Sequence, residues 1–308
     1  MPASHPRRQT WRALSSTGVV VLLTLAGFAP PASAAHRNGC RHRSDAYSRA
    51  VLADKPVLYY RLDERSGQTL CDSSKSRNNG VYSASGITYG VRGPLASGDK
   101  AIAASGAAGV VGQSGSAPAG LTGNHSFTLE AWFKNTEKTA ANHVLVDIGQ
   151  TCTDAVTGES CAGVTITNGQ VAGLALYPHQ NAQLGWGPTS GFGIDEQGSN
   201  YVWDPTTVRI NLWNGKWHYL AVTYSHRSGQ LTGYVDGHDL GQPDSDPYGN
   251  PAFHIAAARV ALGQWFSSSY FYPLVGDLDD VAVYATGLGA KRISAHWKAA
   301  HMRRTRRR

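Results

Sequence analysis

The stretch from Asn214 to Gly241, NGKWHYLAVTYSHRSGQLTGYVDGHDLG, constrains the fold of this chain more than any other part of it. Residues 217–224 alternate between two faces and are rich in β-branched and aromatic side chains, which predicts a β-strand. A second strand is predicted over 231–235, and the Asp236-Gly237 pair after it is typical of tight hairpin turns. The stretch therefore predicts an antiparallel β-meander.

The composition also favours strands and turns over helices. The 308 residues include 35 Gly, 14 Tyr, 8 Trp and 7 Phe, and only 16% are charged. Sequence patterns and turn signals predict further strands at 56–63, 81–89, 126–135, 143–148, 164–167, 171–177, 208–213 and 276–284. Short helices are predicted over 46–53 and 288–300. Residues 178–206 are predicted to form a long irregular loop, and long loops often carry function.

Four segments together resemble one protein family. They are NGKWHYLAVTY followed by GYVDG, YSRAVLADKPVLYYRLDE from Tyr47, SFTLEAWFKN from Ser126 and GDLDDVAVY from Gly276. These segments resemble secreted bacterial laminin G-like domains of the concanavalin A-like lectin/glucanase superfamily. The resemblance implies an all-β jelly-roll sandwich of two antiparallel sheets, with short N- and C-terminal helices. It also implies that residues 46–300 form one domain in which the first and last strands lie side by side.

The two ends of the chain differ from this body. Residues 1–34 have a basic start, an apolar run over 17–29 and an Ala-x-Ala site at Ala32–Ala34, which predicts a signal peptide, a secreted protein and no membrane anchor after cleavage. A basic lead-in spans 35–45 and an Arg-rich tail spans 301–308. The ends hold 11 of the 28 Lys and Arg residues, which leaves a mildly acidic body and disfavours specific nucleic-acid binding. The tail is either a contact for anionic polymers or a solvated end.

Four cysteines, Cys40, Cys71, Cys152 and Cys161, suggest two disulfides in an exported chain. A Cys152–Cys161 bond would close a short local loop, and a Cys40–Cys71 bond would tie the mature N-terminus to the body. The sequence leaves the three possible pairings open. A zinc site is the alternative, but the chain contains no Cys-x-x-Cys pair.

The family resemblance also implies one structural calcium ion. Hard cations prefer carboxylate and carbonyl oxygens. The candidate ligands are Asp63 and Asp72 near the first strand and Asp279 and Asp280 on the last strand, because these two strands are expected to be neighbours. The alternative is that these carboxylates face solvent or cap turns.

Aromatic side chains in loops are the candidate ligand-binding residues, because exposed rings stack on sugar faces. Two loops contain them, and the candidates are Trp186, Tyr201, Trp203, Trp265, Tyr270 and Tyr272. The alternative is that these rings close the ends of the sandwich. Trp132 and Trp217 lie on the strands that carry the resemblance, so we expect them in the core.

No catalytic motif is apparent in the sequence. Glycoside hydrolysis needs two carboxylates flanking the scissile bond, and no Glu-x-Asp-x-Glu strand pattern or Gly-x-Ser-x-Gly elbow occurs. The sequence therefore predicts a secreted non-catalytic module that binds an extracellular glycan or cell-envelope polymer through loop aromatics. Two alternatives stay open: a polysaccharide hydrolase or lyase of this fold, and a structural or adhesive envelope protein without a small ligand.

Overall fold

The structure is a computed structural model. It describes residues 40, 43–96, 98–107, 111–137, 143–149, 173–179, 191–196, 199–244, 253, 255, 259–263 and 273–302. The described helices are α1 (Ala46–Ala53) and α2 (Ala290–Ala300), with a 3-10 helix at Pro205–Val208. Among these residues, no helix is long and apolar enough to cross a membrane.

The strands run in chain order as follows: β1 (Leu58–Tyr60), β2 (Thr69–Leu70), β3 (Gly80–Tyr82), β4 (Ile87–Arg92), β5 (Lys100–Ser105), β6 (Gly112–Gln113), β7 (Phe127–Asn135), β8 (Val146–Gly149), β9 (Gly173–His179), β10 (Gly191–Glu196), β11 (Ser199–Trp203), β12 (Trp217–Ser225), β13 (Gln230–Val235), β14 (His238–Gly241), β15 (Arg259–Leu262) and β16 (Val275–Tyr284).

The strands form two antiparallel sheets of eight strands each. Sheet A has the order β14-β13-β12-β7-β16-β5-β4, with β1 also paired to β16. Sheet B has the order β11-β10-β9-β8-β15-β6-β3-β2. Strands that are distant in sequence are neighbours in both sheets, as in a jelly roll. The predicted all-β jelly-roll sandwich is confirmed, and so is the pairing of the first strand with the last.

The main hydrophobic core lies between the two sheets. On β12 it receives Leu220, Val222 and Tyr224, and on the opposite sheet it receives Phe192 and Ile194 of β10. All five side chains are at most 1% exposed. The alternation along β12 predicted from the sequence therefore assigns one set of its residues to this core.

A second core covers the outer face of sheet A. Tyr219 and Ala221, the other set of β12, pack there with Trp132 and with residues of both helices. The indole rings of Trp132 and Trp297 stack with their centroids 5.2 Å apart. Sheet A is therefore buried on both faces, and both described helices pack on its outer face and not on sheet B. Trp132 lies in the core, as predicted, and Trp217 is partly buried against it.

Two segments differ from the sequence-based prediction. Residues 178–206 are not irregular throughout, because β10 and β11 pair as a hairpin within them. The strand predicted over 208–213 is wrong: Asp204 caps the 3-10 helix at Pro205–Val208, and Arg209 ends it in a left-handed conformation (φ 60°). Such a residue interrupts an extended chain.

One disulfide ties the start of the described chain to sheet B. Cys40 is bonded to Cys71, which directly follows β2. This is one of the pairings that the sequence left open, and it closes a loop of 31 residues. Cys152 and Cys161 lie outside the described residues.

A buried polar network fixes the helices to sheet A. The carboxylate of Glu130 on β7 is fully buried and accepts hydrogen bonds from the hydroxyls of Tyr219 and Tyr284. His296 of α2 lies between this carboxylate (3.0 Å) and that of Asp54 (2.9 Å). Burial alone lowers the pKa of His296, but the two carboxylates outweigh burial and raise it. An imidazolium donates from both ring nitrogens, so the charged form fits this position.

We expect the His296→Gln variant to lose a pH dependence of stability that the wild type has. The contribution of His296 is fully present below its unfolded-state pKa of about 6.5 and is lost as the pH rises through its higher folded-state pKa. Between these values the wild type should lose about 1.4 kcal/mol of unfolding free energy per pH unit relative to the variant. Denaturant unfolding from pH 5 to pH 9 measures this difference, and parallel profiles would contradict it.

Candidate ligand-binding face and carboxylate cluster

One row of residues crosses the outer face of sheet B. The register pairs Thr69 with Val81, Val81 with Gln113, Gln113 with Ala261, and Ala261 with Asp147. These residues alternate along their strands with members of the main core such as Leu70, Tyr82, Leu262 and Val146. Because successive strand residues point to opposite faces, the five side chains lie on the face away from the core. We call them the sheet B row.

The sheet B row becomes more buried towards its middle. Val81 is 43% exposed, whereas Gln113 is 4% exposed and both Ala261 and Asp147 are 0% exposed. A carboxylate and an amide thus lie beside a small residue on the outer face, where all three are shielded from solvent. A few fixed polar groups beside a small residue make this row the candidate ligand-binding site.

The structure places Tyr201 and Trp203 in the main core instead of on a loop surface. They belong to β11 and are 1% and 0% exposed. The indole ring of Trp203 stacks on Phe192, and its Nε1 donates to the carbonyl of Gly241 (2.9 Å). Both rings face inward because β11 alternates, and this placement corrects the loop assignment. The other aromatic candidates, Trp186, Trp265, Tyr270 and Tyr272, lie outside the described residues and stay predictions.

A cluster of buried carboxylates occupies the opposite side of the sandwich, on the outer side of sheet A. The β16 strand pairs with β5 up to Leu278 and with β1 from Val281 onward. Asp279 and Asp280 lie between these two neighbours, at a bulge in the pairing of β16 with β7. Asp280 has a positive φ of 46°, and this conformation is uncommon for residues other than glycine. The bulge lets two consecutive carboxylates join one cluster.

Asp99, just before β5, completes this cluster. One oxygen from each of Asp99, Asp279 and Asp280 lies within 4.8 Å of the other two. The three side chains are 8%, 0% and 1% exposed. The last-strand pair makes two further contacts: Asp279 accepts from the backbone N–H of Asp280 (3.0 Å), and Asp280 accepts from the hydroxyl of Tyr59 on β1. We call these three residues the carboxylate cluster.

The nearest basic side chain is already paired with other acids. Arg61 donates to Asp45 (2.7 Å) and lies 2.9 Å from Asp63. It also donates to the carbonyl of Arg43 (2.9 Å). Two carboxylates outside the cluster therefore share this guanidinium, and no ion pair links it to the carboxylate cluster among the described residues.

The pKa values in the cluster reflect this excess of negative charge. Burial raises the pKa of the Asp99 carboxyl to about 7, and the nearby charge of Asp63 acts in the same direction. Burial also raises the pKa of Asp279 and of Asp280 well above the usual range, and the negative charge of Asp99 adds to both shifts. Bringing three ionised carboxylates together without a cation is therefore costly.

The structure separates the predicted metal ligands. Asp279 and Asp280 are in the carboxylate cluster, whereas Asp63 pairs with Arg61. Asp72 accepts hydrogen bonds from the backbone N–H groups of Tyr59, Ser74 and Asn78 at 2.8–2.9 Å, so it organises a turn beside β1. Sequence reasoning missed Asp99, and no local motif marks it, because it lies about 180 positions before its partners.

Comparison with known proteins identifies the family. The family model described as the concanavalin A-like lectin/glucanases superfamily matches residues 108–294, more than half of the chain. The chain therefore belongs to this superfamily, as the sequence motifs predicted. No curated protein sequence matches the chain significantly.

Several solved structures are similar to this chain, and the first of them shares its fold. Domain 4 of AbnA, an extracellular arabinanase from Geobacillus stearothermophilus in complex with arabinotriose, is 17% identical, with a TM-score of 0.51 over 79% of this chain and 98% of that domain. The binding domain of Paraclostridial mosquitocidal protein 1 is 11% identical, with a TM-score of 0.49 over 80% and 52%. Trypanosoma rangeli sialidase with the inhibitor DANA is 13% identical, with a TM-score of 0.48 over 80% and 33%.

The burial of Trp203 gives a testable stability prediction. Trp203→Ala should lower the free energy of unfolding by roughly 3–5 kcal/mol, because it removes a large side chain from a packed core. The matched control is Val202→Ala on the opposite face of the same strand, which should cost about 1 kcal/mol or less. Denaturant unfolding of both variants measures the difference. Equal, small losses would show that Trp203 is not in the core.

Proposed function

We propose that the chain is a secreted, non-catalytic module that binds carbohydrate on the outer face of sheet B. The sheet B row supports this proposal, because Asp147 and Gln113 are buried polar side chains on a face that does not belong to the core. Sugar hydroxyls donate and accept hydrogen bonds. A carboxylate acceptor and an amide, which both donates and accepts, are complementary to them.

The spacing within the row also suits an extended ligand. Gln113 and Asp147 lie two strands apart, on β6 and β8, with Ala261 between them. Two strand spacings correspond to about 9–10 Å, and a small alanine lies between the two polar groups. Arg259 lies two residues before Ala261 on the same strand and is exposed beside the row. The arrangement favours a chain-like glycan that crosses the strands.

A hydrolase is the second candidate, and one observation favours it. The register continues the sheet B row from Asp147 through Ala175 to Asp195, so two acidic residues share a cross-strand row. Their Cα atoms are two strand spacings apart, about 9–10 Å. Carboxyl groups of inverting glycosidases lie roughly 6.5–9.5 Å apart. The binding experiment should therefore include an assay for cleavage of the polysaccharide.

The secreted location and the partner class are part of the same proposal. The predicted signal peptide at 1–34 supports export, and an exported module of this superfamily would meet extracellular glycans or cell-envelope polymers. The solved domain of the Geobacillus arabinanase, which has a similar fold, is in complex with arabinotriose, so arabinan is a reasonable first polymer to test.

Binding should be measured on immobilised arabinan, xylan, β-glucan and bacterial cell wall. We expect retention on at least one of these polymers without release of reducing ends. Gln113→Ala should weaken that binding about tenfold, because it removes a hydrogen-bonding side chain worth roughly 1.4 kcal/mol. Lys298→Ala, an exposed change on α2 at the opposite side of the sandwich, should leave the affinity unchanged.

Each alternative has its own outcome in this experiment. If the wild type releases reducing ends and the Asp147→Asn variant does not, the chain is a hydrolase and not a non-catalytic binding module. Retention that is equal in the Gln113→Ala and Lys298→Ala variants would place the ligand elsewhere on the chain. No retention on any polymer would favour a structural envelope protein.

A further inference from the structure

The exposed charges of the two helices and their flanking residues are all positive. Within 43–55 and 288–302, Asp45 is buried, and Asp54 accepts from His296 of α2 (2.9 Å). The exposed charged side chains of these two segments are Arg43, Arg49, Lys55, Lys291, Arg292 and Lys298. The outer side of the helices is therefore basic, although the body of the chain is mildly acidic.

Most of these basic side chains are available for a partner. Within the part of the chain that the structure describes, Arg292 pairs with Asp54 (2.8 Å), and the other five pair with no carboxylate. Lys291 and Lys298 are seven residues apart, which is about two helical turns, so they lie on one side of α2. The buried residues of both helices pack on sheet A, so this side faces away from it.

Exposed apolar side chains accompany these charges. The described residues include three large hydrophobic side chains that are exposed: Leu52 on α1, Met302 directly after α2, and Val81 in the sheet B row. Leu52 is a neighbour of Arg49 on the surface of α1, because residues three apart are adjacent on a helix. The two helices also pack against each other. We therefore group five residues as the helix surface: Arg49, Leu52, Lys291, Lys298 and Met302.

We propose that the helix surface binds peripherally to an anionic lipid bilayer. Lys and Arg side chains are attracted to anionic head groups, and exposed apolar side chains add to the affinity by entering the head-group region. A soluble polyanion could pair with the charges, but it has no apolar layer for Leu52 and Met302. The chain also continues from Met302 with five arginines in its last six residues, which add to the attraction.

Lipid binding through the helices determines which face of the molecule stays free. The helix surface lies on the outer side of sheet A, and the sheet B row lies on the opposite side of the sandwich. A chain held at a bilayer by its helices therefore directs the outer face of sheet B away from the lipid. The two surfaces share no residue, so this inference does not depend on the proposed glycan binding.

Co-sedimentation with lipid vesicles tests the proposal. The chain should begin at Ala35, because the apolar run at 17–29 could itself contact lipid, and every described element lies after residue 40. We expect binding to phosphatidylcholine vesicles that contain about one third phosphatidylglycerol, and not to phosphatidylcholine alone. The affinity should fall about tenfold or more between about 0.1 M and 1 M salt, because the screening length shortens from about 10 Å to 3 Å. Equal binding to both vesicles, or none to the anionic ones, would overturn the proposal.

Single-charge variants locate the contact on the helices. Lys298→Ala should weaken vesicle binding about fivefold, and Lys291→Ala together with Lys298→Ala about 25-fold. The matched control is Arg209→Ala, which removes an exposed positive charge after the 3-10 helix that follows sheet B strand β11. It should change the affinity less than about twofold. Thermal melting should be unchanged in all three variants, because the altered side chains are exposed. Equal losses in Lys298→Ala and Arg209→Ala would show that only net charge matters, and the helix surface would be the wrong assignment.

Two further variants separate the helix surface from the Arg-rich tail and from soluble polyanions. In a chain that ends at Met302, Lys291→Ala together with Lys298→Ala should still weaken vesicle binding, and no effect there would assign the contact to the tail alone. Leu52→Ser together with Met302→Ser should weaken vesicle binding several-fold and leave the binding of soluble polyphosphate unchanged. Unchanged vesicle binding in this last variant would make the partner a soluble polyanion and contradict the proposal.

The proposed glycan binding and the lipid binding can fail separately. Lys298→Ala should weaken vesicle binding and retain the affinity for the polymer, whereas Gln113→Ala should do the reverse. Loss of both kinds of binding in Lys298→Ala would show that the two surfaces are not independent and would contradict the inference.

Discussion

Burial of sheet A on both faces is the constraint on which the rest of the structure depends. The central strands β7, β12 and β16 contribute alternate residues to the core between the sheets and to the core beneath the helices. Any polar side chain on the helix side must then find its partners inside the protein. Glu130 does so through two tyrosine hydroxyls and His296. In the carboxylate cluster, by contrast, one buried oxygen each of Asp99, Asp279 and Asp280 has no hydrogen-bond partner.

The outer faces of the two sheets have different roles. Both helices pack on the outer face of sheet A, and buried charged residues hold them there. This face therefore contributes to the stability of the protein. The outer face of sheet B is not covered by a described helix, and it holds the buried polar side chains of Asp147 and Gln113. The glycan binding that we propose is therefore assigned to this face and not to the outer face of sheet A.

The sequence predicts the fold well because the strong signals are local. The hairpin at Asp236-Gly237 forms as predicted, and both residues have positive φ values (49° and 79°) as its turn requires. The β10–β11 hairpin was missed because both strands are short and β10 contains two glycines, although Tyr201 and Trp203 alternate with polar and aliphatic neighbours. The carboxylate cluster and the sheet B row were harder to predict from the sequence than the hairpins. Asp99 meets Asp279 only through the pairing of β5 with β16, and the sheet B row can be recognised only when four strand registers are known.

The claim that the outer face of sheet B is the ligand-binding face has a direct test. Nuclear magnetic resonance of the ¹⁵N-labelled protein, titrated with a short oligosaccharide of the polymer it retains, reports which backbone amides sense the ligand. We predict shifts centred on β6, β8 and β15, around Gln113, Asp147 and Ala261. Shifts centred on α1, α2 and the neighbouring face of sheet A would contradict the account.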